Sequence, residues 1–222
     1  MWNLKELRET IHADRSDSEA ILGIVHSIDR YIEIFLFHLY GARDALDEVI
    51  DPNAADQIEA MAVAFGASDR QEEYHYAKVA SEAHILGDAH SARSMFDVFA
   101  FLVNSLVLSG AIPESRCSIQ RVVDRLPSSP LKHELEGLLD SYWFGYVSAF
   151  VNVAKHRMLA SHSFQVGFDD RYTGIRVGAF EYNGTKYPPY KVREFLEGVL
   201  EVKNKIVNCG ALLNSQVVRG RV

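Results

Sequence analysis

From Ile21 to Val49, apolar side chains return every three or four residues: Ile21, Ile24, Val25, Ile28, Ile32, Phe35, Leu39, Ala42, Leu46 and Val49. That period puts one apolar stripe along a single long amphipathic helix. Ser16 and Glu19 have capping-box spacing at its start, and Asp51-Pro52 marks its end. A helix of this length cannot bury its stripe alone. It demands other long helices beside it, so a helical bundle is the architecture this segment requires.

The same reading predicts helices over 53–66, ending at Gly66, over 68–86, ending at Gly87, and over 89–109, apolar nearly all round and therefore central. A short helix over 115–126 ends in Leu126-Pro127-Ser128-Ser129-Pro130. A long one over 130–160 carries the stripe Leu131, Leu135, Leu138, Tyr142, Tyr146, Ala149 and Val153. The last helix, over 190–208, is expected to stop at Gly210. Between the last two the pattern changes. Ile175–Tyr182 reads as a strand, Asn183-Gly184 as a two-residue hairpin turn, and Thr185–Tyr187 as the return. The expected fold is all-α, one helical domain over 1–222, with a small β-hairpin inserted at about 163–187 whose contacts are local.

Charge bounds the function. Residues 1–130 hold 21 acidic and 11 basic groups, a net of −10; residues 131–222 hold 9 and 12, a net of +3; the whole carries −7. A chain that coats nucleic acid nonspecifically would be basic, so only a local basic site in the last third fits an anionic partner. Cys117 and Cys209 match no metal or redox spacing. Met1–Glu6 lacks the basic start and apolar run of a signal peptide. The longest apolar stretch, Val98–Ile112, is broken by Asn104 and Ser105 and is short for a membrane span. A cytoplasmic protein with no membrane partner is expected.

The chemistry-bearing segment is Asn152-Val153-Ala154-Lys155-His156-Arg157. Asn152 and His156 are four apart and share a helix face. Traced back, that face reads Ser141, Gly145 and Ser148 or Ala149, small residues over which another helix can pass. This places Asn152 and His156 in a helix seam, and the small residues beside Trp143 and Tyr146 suggest a homodimer. A histidine next to Lys155 and Arg157 suits a phosphodiester: the imidazole moves a proton while the cations hold phosphate oxygens. The plain alternative is three cations complementing a helix C-terminus.

A long two-helix core followed by a helix that ends in a polar residue, three residues and histidine resembles the HEPN superfamily. Asn152 matches the polar position of its motif and His156 the histidine, and the hairpin and closing helix after residue 157 are similar to a bacterial subgroup. The resemblance implies a dimerising helical bundle. It implies either a metal-independent endoribonuclease, toxin-type in a toxin–antitoxin pair, or a catalytically inactive binding or partner module, an antitoxin or sensor, with RNA or a cognate protein as partner. In the ribonuclease, His156 would be general base or acid, Asn152 would orient, and Lys155 or Arg157 would hold the phosphate. No cofactor is implied. The motif arginine falls at 151, where this chain has Val151.

Glu9/His12 and Glu72/His75 have the Glu-x-x-His spacing of di-metal bundles, with Glu33 or Glu48 as further ligands; solvated surface charge is the other reading. His26, His38, His84, His90, His133 and His162 show no shared spacing and are expected on the surface or in structural hydrogen bonds. Phe96, Phe99 and Phe101 are expected in the core. No phosphate-cradling glycine loop or Gly-x-Ser-x-Gly is present, which disfavours an ATPase or serine hydrolase.

Overall fold

The computed structural model describes residues 2–47, 61–63, 65–167 and 172–219. They are mostly helical. The elements are α1 (Leu4–Asp14), α2 (Ser18–Asp47), α3 (Gln71–Leu106), a 3₁₀ turn (Glu114–Arg116), α4 (Ile119–Arg125), α5 (Pro130–Leu139), α6 (Tyr142–His156), β1 (His162–Gly167), β2 (Tyr172–Val177), β3 (Phe180–Tyr182), β4 (Thr185–Tyr187), β5 (Tyr190–Lys191) and α7 (Val192–Arg219). No helix among the described residues is long and apolar enough to cross a membrane. The chain divides into two interleaved compact units. One comprises Met1–Ile34, Ser91–Gly145 and Leu200–Val222; the other comprises Phe35–His90 and Tyr146–Val199.

In the first unit the apolar stripes meet as periodicity requires. Leu7, Ile11, Val25, Ile28, Phe96, Phe99, Leu135 and Ile206 are all essentially inaccessible to solvent. Trp2 closes this core at one end. Its ring stands edge-on to Phe99 at 5.6 Å, and its Nε1 donates to Asn214 Oδ1 at 2.9 Å. Asn214 Nδ2 in turn donates to the Asn3 carbonyl at 2.7 Å, while the Asn3 side chain caps α1 through the Glu6 N–H. Asn104 closes the turn after α3: its amide donates to the Ile112 carbonyl (2.9 Å) and accepts from the Ile112 N–H (3.1 Å). Ser109 and Gly110 take positive φ between them. Ser118 and Ser129 cap α4 and α5, the latter with Pro130 in its first turn.

The second unit carries the strands. β1 and β2 pair antiparallel from His162↔Val177 to Gly167↔Tyr172, and β5 adds to β2 at Arg176↔Lys191 and Val177↔Tyr190. β3 and β4 form the hairpin around Asn183-Gly184, where φ values of 50° and 79° suit a primed two-residue turn. Tyr146 anchors this region. It is fully buried, its hydroxyl donates to the Pro188 carbonyl at 3.0 Å, and Phe180, Tyr187 and Tyr190 surround its ring at 5.1–5.4 Å. The hairpin's contacts are therefore not local; it completes an aromatic core with α6 and Phe195 of α7.

Several boundaries differ from those the sequence predicts. The predicted helices 68–86 and 89–109 are one helix, because Gly87 does not stop α3. The expected helix over 130–160 is two: Asp140 ends α5, the Ser141 hydroxyl donates to the Leu138 carbonyl, and the Ser141 carbonyl accepts from the Gly145 N–H to start α6. α7 runs past Gly210 to Arg219, and α1 precedes the first predicted helix. The helix over 53–66 falls largely outside the described residues, as does the end of the first long helix.

Gly210 lies under the Trp2 indole, which leaves no space for a Cβ. Gly210→Ala should overpack this contact and destabilise the protein by about 1–3 kcal/mol, read as a lowered denaturation midpoint with an unchanged helical far-UV spectrum. A midpoint equal to wild type would show that Trp2 is not seated there in solution.

Candidate site at the end of helix α6

Helix α6 turns Tyr146, Val147, Ala149, Phe150, Val151 and Val153 inward. Val151 is 7% exposed and belongs to the apolar core. Asn152 is half-buried, and its Nδ2 donates to the Ser148 carbonyl one turn back at 2.8 Å. Residues 155–159 are all exposed, including Lys155, His156 and Arg157. The expectation that His156 lies with Asn152 in a helix seam is not met. In the last turn of α6 Val153 is buried, whereas His156 lies on the solvent side.

Arg157 is the one cation of this cluster with directed partners. Its guanidinium reaches the β3–β4 hairpin, at 3.5 Å from the Glu181 carbonyl and 3.4 Å from Asn183 Oδ1. It lies 5.1 Å over the Tyr182 ring, within cation–π range. On the other side, His90 of α3 is held below the ordinary imidazole range by burial and by the charge of Lys155. Lys155, His156 and Arg157 are thus exposed at consecutive positions of the α6 terminus, with Arg157 turned to the hairpin and Lys155 near His90. No hydrogen bond joins Asn152 to His156 among the described residues.

Of the residues read as a dimer seam, some are buried within the chain and others face open space. Tyr146 and Ala149 are core, and a Cβ at Gly145 would meet nothing within 4 Å. Tyr142 remains about half exposed. For the di-metal reading, His12, Glu72 and His75 are exposed, Glu48 lies outside the described residues, and no group of three or more His, Cys, Asp or Glu gathers where it could hold an ion among the described residues. A cavity of about 370 Å³ opens in the first unit among Ile11, Arg15, Leu106 and Val217. None of the predicted site residues line it, and Arg15 is paired with Asp17 at 2.7 Å.

The cluster that sequence reasoning missed is built from histidines. His38 of α2 and His84 of α3 meet Nδ1 to Nδ1 at 3.0 Å. Each ring sits on a glycine of the other helix: a Cβ at Gly41 would come within 2.5 Å of His84, and one at Gly87 within 2.5 Å of His38. The two histidines do share a spacing, His38-Leu39-Tyr40-Gly41 and His84-Ile85-Leu86-Gly87, and this His-x-x-Gly repeat is the signal that could have found them. Burial, and then the neighbouring His84, push His38 below the ordinary imidazole range. Gly87 is therefore a packing position for a ring.

A further buried histidine opens β1. His162 is 7% exposed and lines a cavity of about 10 Å³ with Glu82, Leu86, Phe150 and Ser161, barely one water in size. Its Nε2 has no hydrogen-bond partner among the described residues. Burial, and secondarily the charge of Lys78, push its pKa down to about 4.

The pH dependence follows in sign. An imidazole in the unfolded chain takes up its proton near pH 6.5, whereas His162 in the fold stays neutral until about pH 4. Its folded pKa is depressed, so stability present above about pH 6.5 is lost as pH falls toward 4, by about 3 kcal/mol from this group alone. Urea midpoints taken at pH 7.5 and 4.5 should differ less in His162→Gln than in the wild type. An equal pH dependence in both proteins would remove His162 from the account.

Compared with protein-family models, with curated proteins and with solved structures, the chain gives no match.

Proposed function

We propose that the chain is a HEPN-like cytoplasmic protein that binds single-stranded RNA through the exposed end of α6, acting as a catalytically silent binding or partner module and working as a homodimer. The observation that carries this reading is the pairing of two neighbours in sequence. Val151 is buried where the resemblance calls for an arginine, while Lys155, His156 and Arg157 are exposed at consecutive positions. The cationic end can hold backbone phosphates, and Tyr182 under Arg157 offers a ring beside them. The overall charge of −7 confines such binding to this place. A cognate protein, as in a toxin–antitoxin pair, fits the same module.

The second reading is the endoribonuclease, favoured by the exposure of His156 between two cations. In that reaction the ribose 2′-oxygen attacks the adjacent phosphorus and the bond to the 5′-oxygen breaks. His156 takes the 2′ proton or returns one to the leaving oxygen, and Lys155 or Arg157 holds the phosphate. A 2′,3′-cyclic phosphate and a 5′-hydroxyl result.

Fluorescence anisotropy with a labelled single-stranded RNA separates the outcomes. Binding should weaken as salt rises, and Lys155→Ala with Arg157→Ala should lower the slope of log K against log salt by about 0.7 for each phosphate no longer held. No binding by the wild type would refute the proposal. RNA cut by the wild type in EDTA and spared by His156→Ala, with a loss of about 10²–10⁴-fold in rate, would establish the second reading instead.

A further inference from the structure

We infer that the His38–His84 contact is a proton-operated joint between α2 and α3: one proton shared between the facing Nδ1 atoms closes it, and protonation of both rings opens it. The joint belongs to the second unit and is independent of the α6 site. Its argument starts from geometry. The ring centres are 5.2 Å apart and the Nδ1 atoms 3.0 Å apart. The difference of 2.2 Å is about the two ring radii, so the nitrogens lie close to the line between the centres and face each other head-on. This is the geometry of one Nδ1–H donating to one bare Nδ1. Lone pairs aimed at each other do not converge on a third point, so the pair is arranged to share a proton rather than to chelate an ion.

The surroundings leave the rings no retreat. Each is seated on a glycine of the opposite helix, and Phe37 stands edge-on to both, 5.3 Å from His38 and 5.5 Å from His84. A first added proton can settle on the outer Nε2 of the donor ring and leave the Nδ1–H···Nδ1 bond intact; protonation of both rings would set two imidazolium N–H groups against each other at hydrogen-bond distance in a half-buried place, where like charges repel strongly. On α2, Arg43 and Asp44 pair with each other at the surface. On α3, Asp88 follows His84 by four residues and is fully buried, while Lys78 acts on His162 and, from α6, Lys155 acts on His90. Both lysines add positive potential to the same unit. Separation of the rings relieves the repulsion, and with it goes the close approach of the two helices that Gly41 and Gly87 permit.

Hydrogen exchange of the full chain, corrected for intrinsic rates, tests this at pH 7.5 and 5.0. Peptides covering 35–47 and 79–90 should exchange about tenfold faster at pH 5.0. The step should vanish in His38→Gln and His84→Gln and persist in His162→Gln. Because either joint variant could fail to fold, histidine ¹⁵N spectra of the wild type give an independent reading. At pH 7.5 one ring should be the Nδ1–H tautomer and its partner the Nε2–H tautomer, and both should become imidazolium together with the exchange step. Two rings of the same tautomer that titrate independently, or an exchange profile unchanged by pH, would overturn the joint. So would zinc or copper broadening both Nδ1 signals at micromolar metal, since the pair would then be a ligand set.

Discussion

Rings seated on bare backbone hold the long helices in place. Trp2 lies on Gly210 of α7, His84 on Gly41 of α2, and His38 on Gly87 of α3. In each case the missing Cβ lets an aromatic face approach the helix axis closely, and the ring is then fixed by a polar partner: Asn214 for the indole and the opposite imidazole for each histidine. Dispersion between a ring and a helix backbone is weak atom by atom and substantial in sum. The polar partner adds direction. Helices of 30, 36 and 28 residues (α2, α3 and α7) slide easily along uniform apolar stripes, and contacts of this kind set their register.

The α6 terminus depends on a different device. Tyr146 binds the strand region through its hydroxyl and its ring neighbours, and so the β3–β4 hairpin stands where Arg157 can reach it. Shape and charge at the candidate site thus derive from one buried phenol more than two helical turns away. The strands are not an appendage of the bundle. They finish the aromatic core of their unit and position the side of the cationic end.

Periodicity alone was enough for the helical class, the burial of Phe96 and Phe99, and the Asn183-Gly184 turn, because each depends on local spacing. What it could not supply depends on partners distant in sequence. Gly87 and Gly210 read as helix stops because glycine marks positive φ as often as it marks a missing Cβ, and only the ring above tells which. The break at Asp140-Ser141 was hidden because Leu138, Tyr142 and Tyr146 keep four-residue spacing across it. His156 was assigned to a helix seam and lies in solvent, since its four-residue spacing from Asn152 does not say whether that face is covered. The histidine pair needed the register of α2 against α3, although its His-x-x-Gly repeat was present in the chain.

The first unit is drawn from three stretches, 1–34, 91–145 and 200–222, and the second from within 35–199. This interleaving reverses the usual order of assembly on the ribosome, where N-terminal parts settle first. Trp2 leaves the exit tunnel well before Gly210 and Asn214, its seat and its hydrogen-bond partner, which are made some two hundred residues later. At about 5–20 residues per second, the indole and the stripe of α1 wait ten seconds or more for their native cover. All the residues of the second unit have been synthesised before then. Of the three stretches of the first unit, the one that carries Trp2 thus waits longest, exposed to chaperones and to neighbouring nascent chains.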